Sequence, residues 1–462
     1  MKEQDFAACL NLKDNYDLVD RVFYIGGRPC HLYYVDGFIN NDVLQKIMEY
    51  WQSLPGGCVD PIKDLQQFSD KLVPYGECYV LQDVDQAVRM MLSGPIAVFV
   101  QGLDSALMID IRHYPTRGIT EPENDKVLRG PRDGFCETVN FNTGMVRRRI
   151  RDTRLIFKAF SAGQTGKSDV VIGYMDGLAD KKLVEEISRH IEKIDTRTMI
   201  INQQNLCELL LGKKSINPFP KAKSTERPDV VAHNLAEGRV VIFVDNFPGA
   251  LILPTYLADF TQQADDFYFS PSVGWYIKTM RLLTGAVTLF VTPLWLCLAQ
   301  YTGDIPRWLA FVRPEQMQGI PLLAQLLLME FAIDGLRLAS LNTPSPLASS
   351  MSIVGGLILG DFAVSAGIIL PHTVFYMAFV SISTFSQPSL ELGYAIKMFR
   401  MLFLVLAQLL GLWGVGAGTM FLLLVLINTK TVSGHAYLYP FIPFNGKAAK
   451  KVFARGFSLD QK

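Results

Sequence analysis

Apolar positions along this chain follow two regimes that change near Arg281. Before that point they occur in strand-length runs and helical stripes. The run LYYVDGF from Leu32 ends in Asp36-Gly37 and leads into NNDVLQKIMEYW. There Val43, Leu44, Ile47, Met48 and Trp51 recur at helical spacing, which predicts one packed face. A second stretch of this kind begins 140 residues later at Ile172, with Asp176-Gly177 and then a helix carrying Leu183, Val184, Ile187, Ile191 and Ile194. A further pair lies 144 residues apart: GPIAVFVQGLDSALMI from Gly94 and GRVVIFVDNFPGALIL from Gly238. Each has a helical lead-in (Asp85–Leu92, Asp229–Ala236) and reads as two strands joined by a turn, with Gly102 and Pro248-Gly249 supplying the turn chemistry. Two repeats of strand, helix, helix and hairpin predict two α/β subdomains. A crevice between two lobes and a plain duplicated scaffold are both open at this point.

After Arg281 the apolar runs lengthen. Leu282–Tyr301 holds twenty residues without a charge, with Pro293 and Trp295 inside it. At 1.5 Å per residue that length crosses a hydrocarbon core of about 30 Å. Met401–Thr429 is uncharged over 29 residues and reads as one long span, with Gly411, Gly414, Gly416 and Gly418 in its middle. Three segments between them are less simple: Ile320–Ser340, Met351–Leu370 and Pro371–Pro388. Ile320–Ser340 carries Glu330, Asp334 and Arg337 on one helical face, and Asp334 and Arg337 are spaced to pair. A charge at mid-bilayer costs about 2.5–3.5 kcal/mol, so these groups face a bundle interior, a cavity or another subunit. An ion path and a buried ion-pair network both fit. Met351–Leu370 is rich in small residues that permit close helix approach. Val354, Leu357, Ile358, Asp361, Val364, Ser365 and Ile368 form a stripe suited to a pore with a hydrophobic constriction, or to a packed core helix.

Composition sharpens the division. The whole chain has 44 basic and 44 acidic residues, hence zero formal charge. Residues 282–462 hold 11 basic and 7 acidic residues, about one charge in ten, against about one in four before them. The start is interrupted by Lys2, Glu3, Asp5, Lys13 and Asp14, so no secretory signal is expected and the N-terminal part belongs in the cytoplasm. Six basic residues and one acid follow Asn428 (Lys430, Lys447, Lys450, Lys451, Arg455 and Lys462), which places the tail there too. Both ends on one side require an even number of crossings. Five segments are counted, and Ile320–Ser340 is the one expected not to cross fully.

Zero net charge argues against nucleic acid as a partner. The 7 cysteines form no CxxC and are expected reduced and mostly buried. The 6 histidines show no metal spacing, so no metal site and no cofactor are expected. No nucleotide loop or nucleophile elbow occurs, so no catalytic residue is assigned and an enzyme is not expected. Between the repeats lie RGPRDGF from Arg129 and RRRIRD from Arg147. Arg129, Arg132, Arg147, Arg148, Arg149 and Arg151 make a basic cluster that fits an anion site, an anionic-lipid contact, internal ion pairs or a subunit contact.

These motifs, with NPFP at Asn217, TERPDVVA at Thr225, EGRVVIFVDNFP at Glu237 and SIVGGLILGDFAV at Ser352, resemble the A subunits of spore germinant receptors, the GerA spore germination family. The resemblance covers roughly residues 20–455. YPTRGITEPENDKVLRGPRDGF, PSVGWYIKTMRLL and AYLYPFIPFN look most like the stage V sporulation protein AF branch. It implies a role in endospore germination at the inner spore membrane, with other germination membrane subunits as partners. It also implies a homo-oligomer that conducts ions.

The expected fold is therefore an α/β cytoplasmic domain of two duplicated subdomains followed by an α-helical multi-span membrane domain. Its parts are a first α/β subdomain (1–120), an Arg-rich inter-repeat helical segment (121–166), a second α/β subdomain (167–275), a transmembrane domain (276–430) and a basic tail (431–462). Pore or ion-path candidates are Glu330, Asp334, Arg337, Val354, Ile358, Asp361, Val364 and Ser365. Subunit-contact or anion candidates are the six arginines with Glu226 and Arg227. The rival expectation is a membrane-anchored scaffold or signalling subunit without its own pore.

Overall fold

The computed structural model describes residues 1–114, 125–163, 167–194, 203–211, 217–263, 265–301, 303–304, 306–314, 320–342, 353, 355–446 and 449. Val354 and the tail residues Lys447, Lys450, Lys451, Arg455 and Lys462 lie outside them. The chain forms two compact units. One comprises Met1–Lys214 and Ala222–Thr255, the other Ser215–Lys221 and Tyr256–Lys462.

The first unit contains the duplication. Helix α1 (Glu3–Ala8) precedes β1 (Leu18–Ile25), β2 (Arg28–Val35), α2 (Asn41–Ser53), α3 (Leu65–Leu72), β3 (Cys78–Leu81), α4 (Val84–Met91), β4 (Ile96–Val100) and β5 (Ala106–Ile109). The same order recurs as α5 (Val139–Arg149), β6 (Leu155–Ala162), β7 (Ser168–Met175), α6 (Lys181–Glu192), α7 (Gln203–Leu211), β8 (Lys223–Thr225), α8 (Pro228–Ala236), β9 (Val240–Val244) and β10 (Ala250–Leu253). The two five-stranded sheets are antiparallel, ordered β1-β2-β4-β5-β3 and β6-β7-β9-β10-β8. Strands β1, β3, β6 and β8 and helices α3 and α7 are additions to the repeat read from sequence, and the expected helical segment 121–166 instead ends in strand β6, the first strand of the second sheet; β3 and β8 are the least visible of these. They are short, half-buried edges with no apolar alternation to reveal them.

Local chemistry explains the repeat. Gly37 and Gly177 both adopt φ +79° after Asp36 and Asp176, a left-handed turn that favours glycine. The Asn40 side chain then accepts from the amides of Asp42 and Val43, and Asp180 accepts from that of Lys182, starting α2 and α6. Residue alternation splits the first sheet between two cores. Leu32, Val98, Leu107 and Ile109 pack with Leu44, Ile47, Trp51 and Phe68. Tyr33, Ala97, Phe99 and Met108 pack on the other face with Phe6, Ala87 and Met91. No disulfide joins any of the seven cysteines. Only Cys30 is fully buried, which pushes its thiol up to about 12, so "mostly buried" overstates the case.

The second unit is helical. Helix α9 (Asp265–Tyr268) leads into α10 (Pro271–Gln300), joined by a bidentate pair from Arg281 to Asp266 at 2.8 and 3.1 Å. Then come α11 (Leu322–Asn342), a π-turn at Ile358–Phe362 with Ala363–Ser365, α12 (Pro371–Phe385), α13 (Leu390–Leu410) and α14 (Leu412–Asn428). Among the described helices of this unit, α10 passes as a membrane span by length and apolarity.

Contacts fix the helix directions. Gln387 reaches Thr284, Arg400 reaches Thr288 and Gln408 reaches Gln300, so α13 runs parallel to α10. Ser386, just beyond α12, meets Thr284, and His372 at its start meets Phe311, so α12 runs back. Gln325 meets Thr373 while Arg337 lies over the Phe385 ring, so α11 runs alongside α12 between the same two ends of the bundle.

The run Met401–Thr429 is not one helix. Gly411 (φ +59°, ψ −139°) breaks it, and α14 folds back along α13. A Cβ on Gly414 would lie 2.0 Å from the Leu406 carbonyl oxygen, and one on Gly418 2.7 Å from the Phe403 ring. Further along, Phe421 and Phe399 pair at 6.1 Å. The NPFP segment also packs in this unit. Phe219 stacks on Phe399 at 5.4 Å, Asn217 donates to the Thr429 hydroxyl at 2.6 Å, and Tyr437 donates to the Pro220 carbonyl at 2.7 Å.

The hairpin is testable. Gly414→Val should open it and sharply reduce recovery of monodisperse protein in detergent. Gly416→Val, whose Cβ meets nothing within 4 Å, should leave recovery and melting temperature unchanged.

Candidate functional site

Helix α11 carries its acids one turn apart, which puts them on one face. That face meets α13, where Lys397 and Arg400 stand three residues apart. Lys397 Nζ lies 3.0 Å from Glu330 Oε2 and also contacts Asp334 Oδ2. Arg400 Nη2 contacts Glu330 Oε1, and its Nη1 donates to the Thr288 carbonyl of α10 at 3.0 Å. Glu330, Lys397 and Arg400 are buried, while the Asp334 side chain is 38% exposed. Two acids and two cations thus cancel within an otherwise apolar bundle.

Asp334 and Arg337 do not pair along the helix. Lys397 takes Asp334, and the Arg337 guanidinium sits 5.2 Å from the Phe385 ring and 5.0 Å from that of Tyr394. Sequence reasoning misses Lys397 and Arg400 because the uncharged run begins at Met401, just after them. The signal was present: two cations at i, i+3 inside a helix whose remaining face is apolar.

The segment around Asp361 differs. Asp361 is exposed and, among the described residues, in no ion pair. It lies in the π-turn, a geometry that recurs at functional sites. Ser365 donates to the Asp361 carbonyl. Leu357, Ile358, Phe362 and Ile368 are about half exposed, and Val364 is half-buried. So Ile358, Asp361, Val364 and Ser365 sit together on a lightly covered helix, whereas Glu330 and Asp334 are engaged elsewhere. The latter pair cannot offer free carboxylates to an ion while Lys397 and Arg400 hold them.

The arginine cluster divides by burial. Arg147 is fully buried, with Nε 2.8 Å and Nη2 2.9 Å from the two Asp17 carboxylate oxygens. It also donates to Asn15 Oδ1 and the Leu155 carbonyl, and lies 5.0 Å from the Phe157 ring. Arg227, also buried, makes a bidentate pair with Asp229 at 3.1 and 2.8 Å and donates to the Asp125 and Pro131 carbonyls. Neither offers its charge to an outside anion or subunit. Arg149 pairs with Asp133 at 2.6 and 2.7 Å. Arg148 lies over the Tyr114 ring at 4.3 Å. Arg129, Arg132, Arg148 and Arg151 are exposed, and Glu226 is half-buried, its amide donating to Asp125. No group of three or more potential metal-binding side chains occurs among the described residues.

The sequence matches, over residues 9–461, the family described as Bacillus/Clostridium GerA spore germination protein. Stage V sporulation protein AF of Bacillus subtilis (strain 168) is 32% identical over 453 residues, covering 98% of this chain and 91% of that protein. Spore germination protein A1 of the same organism is 28% identical over 442 residues, 93% and 88% of the respective chains. The uncharacterized membrane protein YfkQ, also from Bacillus subtilis (strain 168), is 29% identical over 469 residues, 98% and 90%. The crystal structure of the N-terminal domain of the A subunit of the Bacillus megaterium spore germinant receptor GerK3 matches 54% of this chain and 91% of its own, at 27% identity and TM-score 0.41.

Removing one partner of a buried ion pair leaves an uncompensated charge, at a cost of about 3–5 kcal/mol. Arg147→Met should therefore lower the urea midpoint of the purified full-length protein. Arg151→Met, at an exposed site, should shift stability by less than about 0.5 kcal/mol.

Proposed function

The chain belongs to the GerA spore germination family, and from that premise we propose that it is a multi-pass membrane subunit of the endospore germination machinery that conducts cations as a homo-oligomer. The relatives' names carry the germination and sporulation role. The observation that carries conduction is the exposed Asp361, in no ion pair among the described residues, on a helix of small and apolar residues beside a bundle in which Glu330 and Asp334 are neutralised internally. A lightly covered helix with one acid suits the wall of a shared pore, where copies of the chain supply the missing contacts. Ile358, Val364 and Ser365 would form the constriction with it.

The helical unit supports an even pass count. Helix α10 runs away from its first residues, α11 returns, the segment to Ile369 goes out again, α12 returns, α13 goes out and α14 returns. Six traverses place the start of α10 and the end of α14 on one side. With the basic tail, that side is the cytoplasm. On this reading α11 crosses fully, its charges tolerated because α13 neutralises them. The inner spore membrane and companion germination subunits complete the picture.

The test is cation flux through purified protein in liposomes, with oligomeric mass measured in the same detergent. Asp361→Asn should change flux several-fold at unchanged protein level. Ring-sized assembly without flux, with or without companion subunits, would favour a scaffold instead.

A further inference from the structure

The placement of Asp361 has its own structural cause. The segment bearing it touches α11 at two points. Near its start, a Cβ on Gly355 would lie 2.2 Å from Leu336. At its end, Gln325 of α11 holds the joint with α12. The Gln325 side chain is buried, and its Oε1 accepts from the Leu370 amide and the Thr373 hydroxyl, both at 2.9 Å. Its Nε2 donates to the Ile320 carbonyl at 2.8 Å. One amide thus spends both ends, and its oxygen supplies the cap that Leu370 and Pro371 cannot give α12 from their own side chains. Just before the joint, Gly367 turns the chain at φ +68° with open space where a Cβ would stand. Ile369 is buried while Leu357, Ile358 and Phe362 are about half exposed.

Helix α11 is itself fixed to α13 by Glu330 and Asp334. We propose that Gln325 is the positioning residue for Asp361: its amide ties the Asp361 segment to α11, so that the segment's direction is set by a buried hydrogen-bonded joint and not by the exposed residues along it. This rests on the reading of Asp361 as a pore residue, but its test does not. A residue that only capped α12 would affect stability without moving Asp361.

The experiment measures the rate at which Asp361→Cys reacts with a charged methanethiosulfonate reagent, in full-length protein in liposomes, with the protein carrying its 7 native cysteines as baseline. Leu410→Cys, exposed on α13 near the hairpin turn, is the control. Gln325→Leu should change the Asp361→Cys rate several-fold, Thr373→Val less so, and neither should move the Leu410→Cys rate. Thr373→Val loses one of two donors and keeps the test usable if Gln325→Leu does not fold. Unchanged rates at Asp361→Cys in the folded variants, or equal changes at both sites, would overturn the proposal. A rate change at Asp361→Cys alone supports it even where Asp361→Asn conducts normally, an outcome that would sink the pore reading only.

Discussion

Four charges cannot enter an apolar helical bundle unless they meet one another. That constraint organises the second unit. Glu330 lies between Lys397 and Arg400, Asp334 shares Lys397, and Arg400 spends its remaining reach on the Thr288 carbonyl. Three of these contacts join α11 to α13 and the fourth joins α13 to α10, so α10, α11 and α13 are held in one register. A slip of one turn, about 5.4 Å, would leave at least one buried charge alone. The network is thus weak evidence for net stability and stronger evidence for a single arrangement. The helices that lack such pairs rely on small residues and shape: Gly414 and Gly418 admit α13 at a distance any side chain would forbid.

The α/β unit uses the same logic with different parts. Asp17 stands just before β1, in the first repeat, and Arg147 closes α5, in the second. Around them Tyr16 donates its amide to the Phe157 carbonyl and shares a hydroxyl contact with Thr143 at 2.8 Å, while Asn15 accepts from the Phe157 amide. Burial drives the Tyr16 phenol well above its ordinary value, so it remains neutral and hydrogen-bonded. Residues 15–17 therefore stitch the two copies of the repeat together through hydrogen-bonded polar groups, of which Asn15, Asp17 and Arg147 are buried.

Much of this was legible in the sequence. Both halves of the duplication announced themselves through strand-length apolar runs, Asp-Gly turns and helical stripes of the same length. The inward orientation of Glu330 and Asp334 followed from the cost of exposing them to lipid. What escaped was pairing at long range. Nothing local distinguishes Arg147 from Arg148, yet one is buried against Asp17, 130 positions away, and the other covers Tyr114 at the surface. Lys397 and Arg400 were hidden because the uncharged run starts at Met401, directly after the last charge. The break at Gly411 was hidden among other glycines, because only its backbone angles set it apart from Gly416.

That break also settles a question of length. Joined without it, α13 and α14 would make one rod of nearly forty residues, close to 60 Å, or about twice the thickness of a bilayer's hydrocarbon layer. Such a rod would carry Asn428 to the end of the bundle opposite to the one it occupies. A single residue with no side chain thus converts an oversized helix into a return journey, and so brings α14 back alongside α13.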